Sequence, residues 1–324
     1  MQFIVKVENK IQLNVVLDSD IVSEIILARD SFAENELEKL IDKIKSKGKK
    51  AWILMERISR YEEKMISAGM NNNQKVNVKQ NDVNDLRLST DKIYKIKNLD
   101  GIIIQNLDSF AYMLRRISNA ANEQLKVEIN YTMNCYNLET KKLFESQYQS
   151  KRKNADAVPL LFTAPVELNI YELSDVTYDT MILYSYIDTM VTANCLYKNT
   201  ANEKGENKNT KVVDARKNAD VAICKHRFNF NNVQDFSSYI IDRKGKKLHY
   251  KTYCKYCYNK IFNTEPIYLL DKIDEIREKV RGNKEYIFRN RIDFSFESEK
   301  EIRNILSMKC PETFTRGHYK NSIK

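Results

Sequence analysis

Glycine and proline are scarce in this chain of 324 residues, numbering 7 and 4, and there are 3 histidines, 1 tryptophan and 6 cysteines. These shortages exclude several classes of protein. There is no GxGxxG and no GxxxxGK[ST], so the usual glycine-rich phosphate cradles are missing. There is no GxSxG nucleophile elbow and no HExxH zinc-protease helix. No apolar run approaches the ~18 residues that a membrane-spanning helix needs. The opening MQFIVKVENK lacks a basic stretch followed by an apolar one, so no secretory signal is expected and the expected location is the cytoplasm. Six cysteines are too sparse for a disulfide framework. In a reducing compartment a CxxC reads first as metal-binding or redox-active.

What is present is globular composition, 42% hydrophobic and 30% charged, with a formal net charge of +10. Excess positive charge suits an acidic partner such as RNA. Lysine, asparagine and isoleucine are abundant, a bias that an A/T-rich genome also produces, so the position of the charge matters more than its sum.

Two periods alternate along the first half. FIVKV is apolar at every second residue, as a half-buried strand is, and EIILA (Glu24 to Ala28) is the near-continuous run of a strand buried on both faces. IQLNVVLD fits a helix. ENELEKLIDKIKSKG sets Leu37, Leu40, Ile41 and Ile44 on one helical face, and Gly48 stands where a left-handed cap ends it. KAWILM is the next strand. DGIIIQNLDSFAYMLRRI reads as strand, turn at Asn106, then helix, and LKVEINYTMNCYNLETKKLFES repeats the form. Such units imply parallel βαβ architecture, as a barrel or an open doubly wound sheet. The polar, asparagine-rich segment from Met70 to Leu99 reads as a long loop. DTMILYSYIDTM reads as the last buried strand, and residues 198–220 as a flexible insertion. Near the end come a short helix in LLDKIDEIREKV and a strand–helix pair in IFRNRIDFSFESEKEIRNIL. The expected division is a (β/α) barrel-like domain over 1–190 and a cluster-binding C-terminal segment over 191–324, packed on the barrel.

KTYCKYCYNKIFN holds the one CxxC, Cys254 and Cys257. That spacing lets two thiolates reach one ion from a single turn, and it serves zinc, iron–sulfur clusters and redox dithiols alike. Cys195, in MVTANCLYKN, and Cys224, in VAICKHRF, are able to complete a set of four. A zinc ribbon wants two CxxC pairs; one pair plus two single thiolates suits an iron–sulfur cluster better. Cys195 and Cys224 also read as small buried apolar residues. Cys135 reads as core, and Cys310 as incidental. Around the CxxC, residues 243–260 carry seven Lys/Arg, four tyrosines and no carboxylate. Lys247, Lys251, Tyr253, Lys255 and Tyr256 suit RNA, with bases stacked on the rings and phosphates on the lysines. A solvated basic hairpin with its tyrosines packed on the domain is the alternative.

The run MVTANC, the single Cys224, IIDRKGKKLHYKTYCKYCYNKIFN and IYLLD together resemble the C-terminal half of the collagenase-like peptidase family U thirty-two. DGIIIQNLDSFAYM, APVELNIYELSD, RIDFSFES and FTRGHY agree, so the resemblance spreads from about Asp100 to Tyr319. It implies a TIM-like (β/α) barrel, closed or incomplete, with a cysteine-containing C-terminal extension. It also implies a [4Fe–4S] cluster on Cys195, Cys224, Cys254 and Cys257, with zinc as the alternative metal. Relatives of this kind act in cluster-dependent hydroxylation of tRNA or ribosomal RNA, with prephenate an implied co-substrate, or of ubiquinone. The sequence departs from the family at YSYIDTM, where relatives carry glycine and proline, and at GHYKNSIK, which lacks the Arg-Gly after Gly-His.

In a barrel the active site lies at the C-terminal ends of the strands. Glu167, after Pro165 in APVELN, is there the first candidate for a substrate-facing carboxylate, and Asn106 lies at the equivalent edge of another unit. Glu167 also reads as a helix-capping or structural residue. Arg289 and Arg291, in FRNRIDF, read as anion-binding residues or as a solvated strand face. Three functions follow as expectations: an iron–sulfur-dependent RNA hydroxylation enzyme; a collagenase-like peptidase, for which no nucleophile or base is matched; and a non-catalytic cluster- or zinc-binding subunit that serves a second barrel chain. No DNA-binding motif is seen.

Overall fold

A computed structural model describes residues 1–59, 90–151, 158–193, 230–231, 233, 235–281 and 288–320. The chain divides into two compact units, one of Met1–Ile187 with Glu265–Lys324 and one of Asp188–Thr264.

The first unit begins with β1 (Phe3–Val7), α1 (Lys10–Leu17), β2 (Val22–Ala28), α2 (Glu34–Ser46) and β3 (Lys50–Leu54). It continues with β4 (Gly101–Ile104), α3 (Leu107–Arg116), β5 (Lys126–Ile129), α4 (Leu138–Gln149), β6 (Leu160–Phe162) and β7 (Thr180–Ser185). The second unit contributes β8 (Asp188–Thr192), β9 (Asp235–Ile241), β10 (Lys247–Tyr253) and β11 (Tyr258–Phe262). The chain then returns to the first unit for β12 (Ile267–Tyr268), α5 (Ile273–Arg281), β13 (Arg289–Asp293) and α6 (Glu299–Leu306). The first unit runs to Ile187 and resumes at Glu265. Residues 265–324 differ from the expectation because β13 belongs to the first unit's sheet.

The sequence builds these units with side-chain caps. Asn9, Asn106 and Asn137 each follow a strand or its loop in extended conformation, and each accepts a hydrogen bond from the backbone N–H three residues on. Ser298 and Glu301 form a reciprocal capping box at α6. The face of α2 is buried through Leu37, Ile41 and Ile44, with Leu40 half-buried against it, and Gly48 closes the helix at φ +71°. Residues 70–89 of the expected long loop lie outside the described residues, as do residues 198–220.

The first unit is a mixed α/β fold with a large TIM-like half-barrel sheet of nine strands in the order β12-β7-β13-β1-β2-β3-β4-β5-β6. Every pairing is parallel except that of β12 with β7. β13 lies between β7 and β1, so the buried strand expected to be the last is followed by another. At the far end, Thr163 bridges Thr180 in parallel, Ala164 N donates to Thr180 O at 2.8 Å and Asp179 N to Phe162 O at 2.8 Å. In the second unit the antiparallel order is β8-β11-β10-β9.

Alternation along the strands separates two interiors. Val5, Val7, Ile25, Leu27, Ile53, Ile102, Ile104, Val127, Ile129 and Ile292 join the main core with residues of the helices. Their sequence neighbours Ile4, Ile26, Trp52, Leu54 and Ile103 form a separate cluster on the opposite face of the sheet. FIVKV, expected to be half-buried, is therefore buried at all five positions.

Trp52 fixes the spacing of this inner layer. Its ring is fully buried and its indole Nε1 donates to Glu24 Oε2 at 2.6 Å. A Cβ on Gly101, in the neighbouring strand, would lie 2.2 Å from the ring. Gly101→Ala is expected to lower stability by about 1–3 kcal/mol through overpacking, measured by denaturant unfolding. A variant as stable as the wild type would show that the ring has room to move.

Candidate functional site

Parallel strands point their carboxyl ends one way, and a group of buried charged residues collects there. Lys6 is near the end of β1, and Glu8 lies just beyond it. Lys6 Nζ donates to Glu8 Oε1 at 2.5 Å and to Ser295 Oγ at 3.2 Å, and Ser295 Oγ lies 3.4 Å from Glu8 Oε1. Glu8 N donates to Gln12 Oε1 at 2.7 Å, tying the cluster to the first turn of α1. On the segment after β13, Glu297 Oε2 accepts from Ser295 N at 2.6 Å and Phe296 N at 2.9 Å. Burial pushes the Glu297 carboxyl up to about 6, against the lowering pull of the backbone amides, the Tyr184 phenol and Lys6.

Beside this cluster, Arg291 forms a two-pronged pair with Asp293, Nε to Oδ1 at 2.6 Å and Nη2 to Oδ2 at 2.8 Å. Its Nη1 reaches Asn130 Oδ1 at 3.0 Å, just beyond β5, and Asn130 Nδ2 reaches Gln105 Oε1 at 3.4 Å, just beyond β4. A second network at the ends of β2 and β3 joins Arg29 to Glu34 at 2.8 Å and to Glu56 at 3.0 Å. The opposite end of β13 carries Arg289, which bonds Glu24 Oε2 at 3.3 Å, Thr180 Oγ1 at 2.8 Å and Glu128, with its guanidinium over the Trp52 ring. Arg291 is fully buried and Arg289 has several protein partners, so the reading of both as a solvated strand face is corrected. An alternating pattern looks the same whether its polar side meets water or a charged interior.

The two carboxyl-end residues singled out in the sequence do other work. Asn106 is the N-cap of α3: its Oδ1 accepts from Ser109 N at 2.8 Å and its Nδ2 donates to Glu56 O at 2.8 Å. Glu167 lies half-buried in the loop after β6, with Oε2 making no hydrogen bond. Burial, then the Glu167 charge, raises the Tyr136 phenol above its usual range. Asn169 and Glu172, nearby, cap one another: Asn169 Oδ1 accepts from Glu172 N at 3.1 Å, and Asn169 N donates to Glu172 Oε2 at 2.9 Å. Lys6, Glu8, Asp293 and Glu297 escaped the sequence reading. The available signal was charge inside otherwise apolar strands, as in FIVKV.

In the second unit, Cys254 and Cys257 lie in the four-residue turn between β10 and β11, whose last and first residues, Tyr253 and Tyr258, stack at 5.2 Å. Cys254 is buried and Cys257 half-buried, and Cys257 has the left-handed backbone, φ +57°. A side chain other than glycine or asparagine is uncommon there and marks a turn held by its surroundings. Cys195 and Cys224 lie outside the described residues, so the quartet is seen only by half. Among the described residues no group of three His, Cys, Asp or Glu is gathered for a metal. Cys135 is in the main core, where burial pushes its thiol up to about 11, and Cys310 is exposed.

Four of the five residues read as an RNA surface are corrected in place. Lys251, Tyr253, Lys255 and Tyr256 are buried; Lys247 alone is exposed, over the Tyr239 ring. Lys251 pairs with Asp235 at 3.2 Å, and the ammonium groups of Lys251 and Lys260 both lie over Tyr253. The tyrosines there stack on protein cations. The exposed basic residues of this segment are instead Arg243, Lys244, Lys246 and Lys247, around the β9–β10 turn that Asp242 caps.

Two outcomes follow from the buried charges. Asp293→Ala leaves Arg291 unpaired in the interior and is expected to cost about 3–5 kcal/mol in chemical denaturation, with Asp293→Asn intermediate. Glu297 has a folded pKa above the unfolded ~4.3, so the stability it contributes is present at low pH and lost as pH rises through about 6, by roughly 2 kcal/mol in all. Glu297→Gln removes that dependence. Its melting temperature should gain on the wild type between pH 4.5 and 6.5 and run parallel above, and parallel curves throughout would mean that Glu297 titrates normally.

No family model matches the chain, and no curated protein matches it. Two solved structures are similar. One is described as "The Structure of the U32 Peptidase Mk0906", with 16% identity over 58% of this chain and 72% of that chain and a TM-score of 0.38. The other, "Crystal structure of an uncharacterized B. cereus protein", has 10% identity over 58% of this chain and 49% of that chain and a TM-score of 0.31. Both likenesses are distant and extend to the fold at most.

Proposed function

We propose that this chain is an enzyme working at the carboxyl ends of its parallel strands, on a TIM-like half-barrel. The observation that carries this reading is the cluster of Lys6, Glu8, Ser295 and Glu297 beside Arg291 and Asp293. Buried ion pairs contribute little to stability compared with apolar packing. A group of them at the end where barrels place their active sites therefore suggests a working centre. Lys6 and Glu8 are joined by a short charge-assisted bond, and burial pushes the Glu297 carboxyl up to about 6, so the cluster is suited to holding and passing a proton.

The finer reading is iron–sulfur-dependent hydroxylation of RNA. Two thiols on one turn, the second in a left-handed conformation, fit one half of a cluster site. Cys254 and Cys257 would hold a [4Fe–4S] cluster with Cys195 and Cys224, and the cluster would supply single electrons when bound. The exposed Arg243, Lys244, Lys246 and Lys247 suit a phosphate backbone.

Protein purified without oxygen is expected to contain about four irons and four sulfides per chain, with a broad visible absorbance that Cys257→Ser loses. One zinc without sulfide would replace the cluster by a structural metal, and no metal would remove the quartet. RNA from cells that express the wild type should contain a nucleoside with an added hydroxyl group that cells expressing Lys6→Met lack. Identical nucleoside profiles would remove the hydroxylation reading.

A further inference from the structure

We propose that β9 is a dimerisation edge, which pairs antiparallel with β9 of a second copy of this chain about a two-fold axis at Tyr239.

β9 ends the four-stranded sheet of the second unit. Among the described residues it has β10 on one side and no strand on the other. Ser237, Ser238, Tyr239 and Ile241 are exposed, the last two at 49% and 59%. Edge strands of native proteins are usually blunted by charge, proline, a bulge or shortness. The other edge of this sheet carries such devices, since β8 begins with Asp188 and its register against β11 shifts. Residues Phe236 to Ile241 hold no charge and no proline, and their register with β10 is unbroken. An open edge of that kind is suited to strand addition.

The ladder fixes which backbone groups face outward. Asp242 N donates to Lys246 O at 2.9 Å, so these residues form a hydrogen-bonded pair beside the turn. Bonded and non-bonded pairs alternate along an antiparallel ladder. Ile240 and Ser238 therefore bond to β10, and the backbone N–H and C=O of Ile241, Tyr239 and Ser237 point to the open side. Three outward residues centred on Tyr239 match themselves. An antiparallel copy sets Tyr239 against its own equivalent and Ser237 against Ile241 in both directions, and all three are bonded pairs. A two-fold dimer needs such a self-complementary patch, and it is the commonest symmetric assembly.

Charge agrees with this occupant. A chain with net charge +10 repels its copies unless the basic patches stay apart. The exposed Arg243, Lys244, Lys246 and Lys247 lie at one end of β9. Antiparallel pairing carries the two basic turns to opposite ends, roughly 20 Å or more apart at ~3.3 Å per residue, beyond the ~8 Å screening length at physiological salt. The same register sets Arg243 beside Asp235 of the second copy, a basic residue against an acidic one.

The test is sedimentation equilibrium of the full chain from about 1 to 200 µM, with amide hydrogen exchange at both ends of the range. The wild type should pass from monomer to dimer. The amides of Ser237, Tyr239 and Ile241 should slow tenfold or more in the dimer, and those of Ser238 and Ile240, bonded to β10 in both states, should change less. Tyr239→Pro removes an outward N–H and none of the bonds to β10, so this variant should stay monomeric. Tyr239→Lys and Tyr239→Glu each set like charges across the axis and should weaken the dimer tenfold or more, and an equimolar mixture of the two should restore it. A wild type that is monomeric throughout, a dimer that Tyr239→Pro leaves intact, or a mixture no tighter than its components would overturn the proposal. A monomer whose Tyr239 amide slows on addition of poly-glutamate would overturn it too, with an acidic strand as the occupant of the edge.

Discussion

The first unit depends on one strand. β13 lies between β1 and β7 and pairs in parallel with both, joining residues near the end of the chain to its first few. Phe3 faces Asn290 across this ladder and Lys6 faces Asp293. Because side chains alternate, Arg289, Arg291 and Asp293 share one face of β13, the face on which the first four strands place Ile4, Ile26, Trp52, Leu54 and Ile103. The strand therefore brings charge into an interior that is apolar on one side. Each charge has to find its counterpart there: Glu24, Thr180 and Glu128 for Arg289, and Asp293 with Asn130 for Arg291.

That requirement specifies more than stability. Replacing a buried ion pair with apolar side chains is often neutral, whereas removing one partner is costly. Arg291 thus fixes the positions of Asp293 and Asn130 more than it strengthens the fold. Polar groups held by such networks are pre-oriented, and pre-orientation is what a catalytic or binding centre gains from a rigid scaffold. The same logic applies in the second unit at smaller scale, where lysines lie over buried tyrosine rings around the CxxC turn.

The βαβ units were readable because their signals are local. Asn106 ends DGIIIQ and starts a helix, Gly48 ends α2, and the apolar face of α2 repeats at helical spacing. The candidate centre was less readable. Lys6 in FIVKV has the pattern of a solvent-facing residue, and nothing nearby reveals that the second face of the strand is also interior. Arg291 reads as a surface arginine for the same reason. The basic, tyrosine-rich segment could be counted but not placed, and its burial turns four of its five chosen residues toward protein.

By itself the sequence determined the βαβ units of the first half, the Gly48 end of α2 and the two thiols on one turn, because these depend on hydrogen bonds and periodicities within about ten residues. Only the tertiary structure decided which face of each strand met charge, which charges met one another, and which basic residues stayed in solvent. The reason is distance along the chain: Gln2 and Asn290, 288 positions apart, share a hydrogen bond. Pairing at that range leaves no mark on local composition, yet it turns alternate residues of a strand into either a wet surface or a second interior.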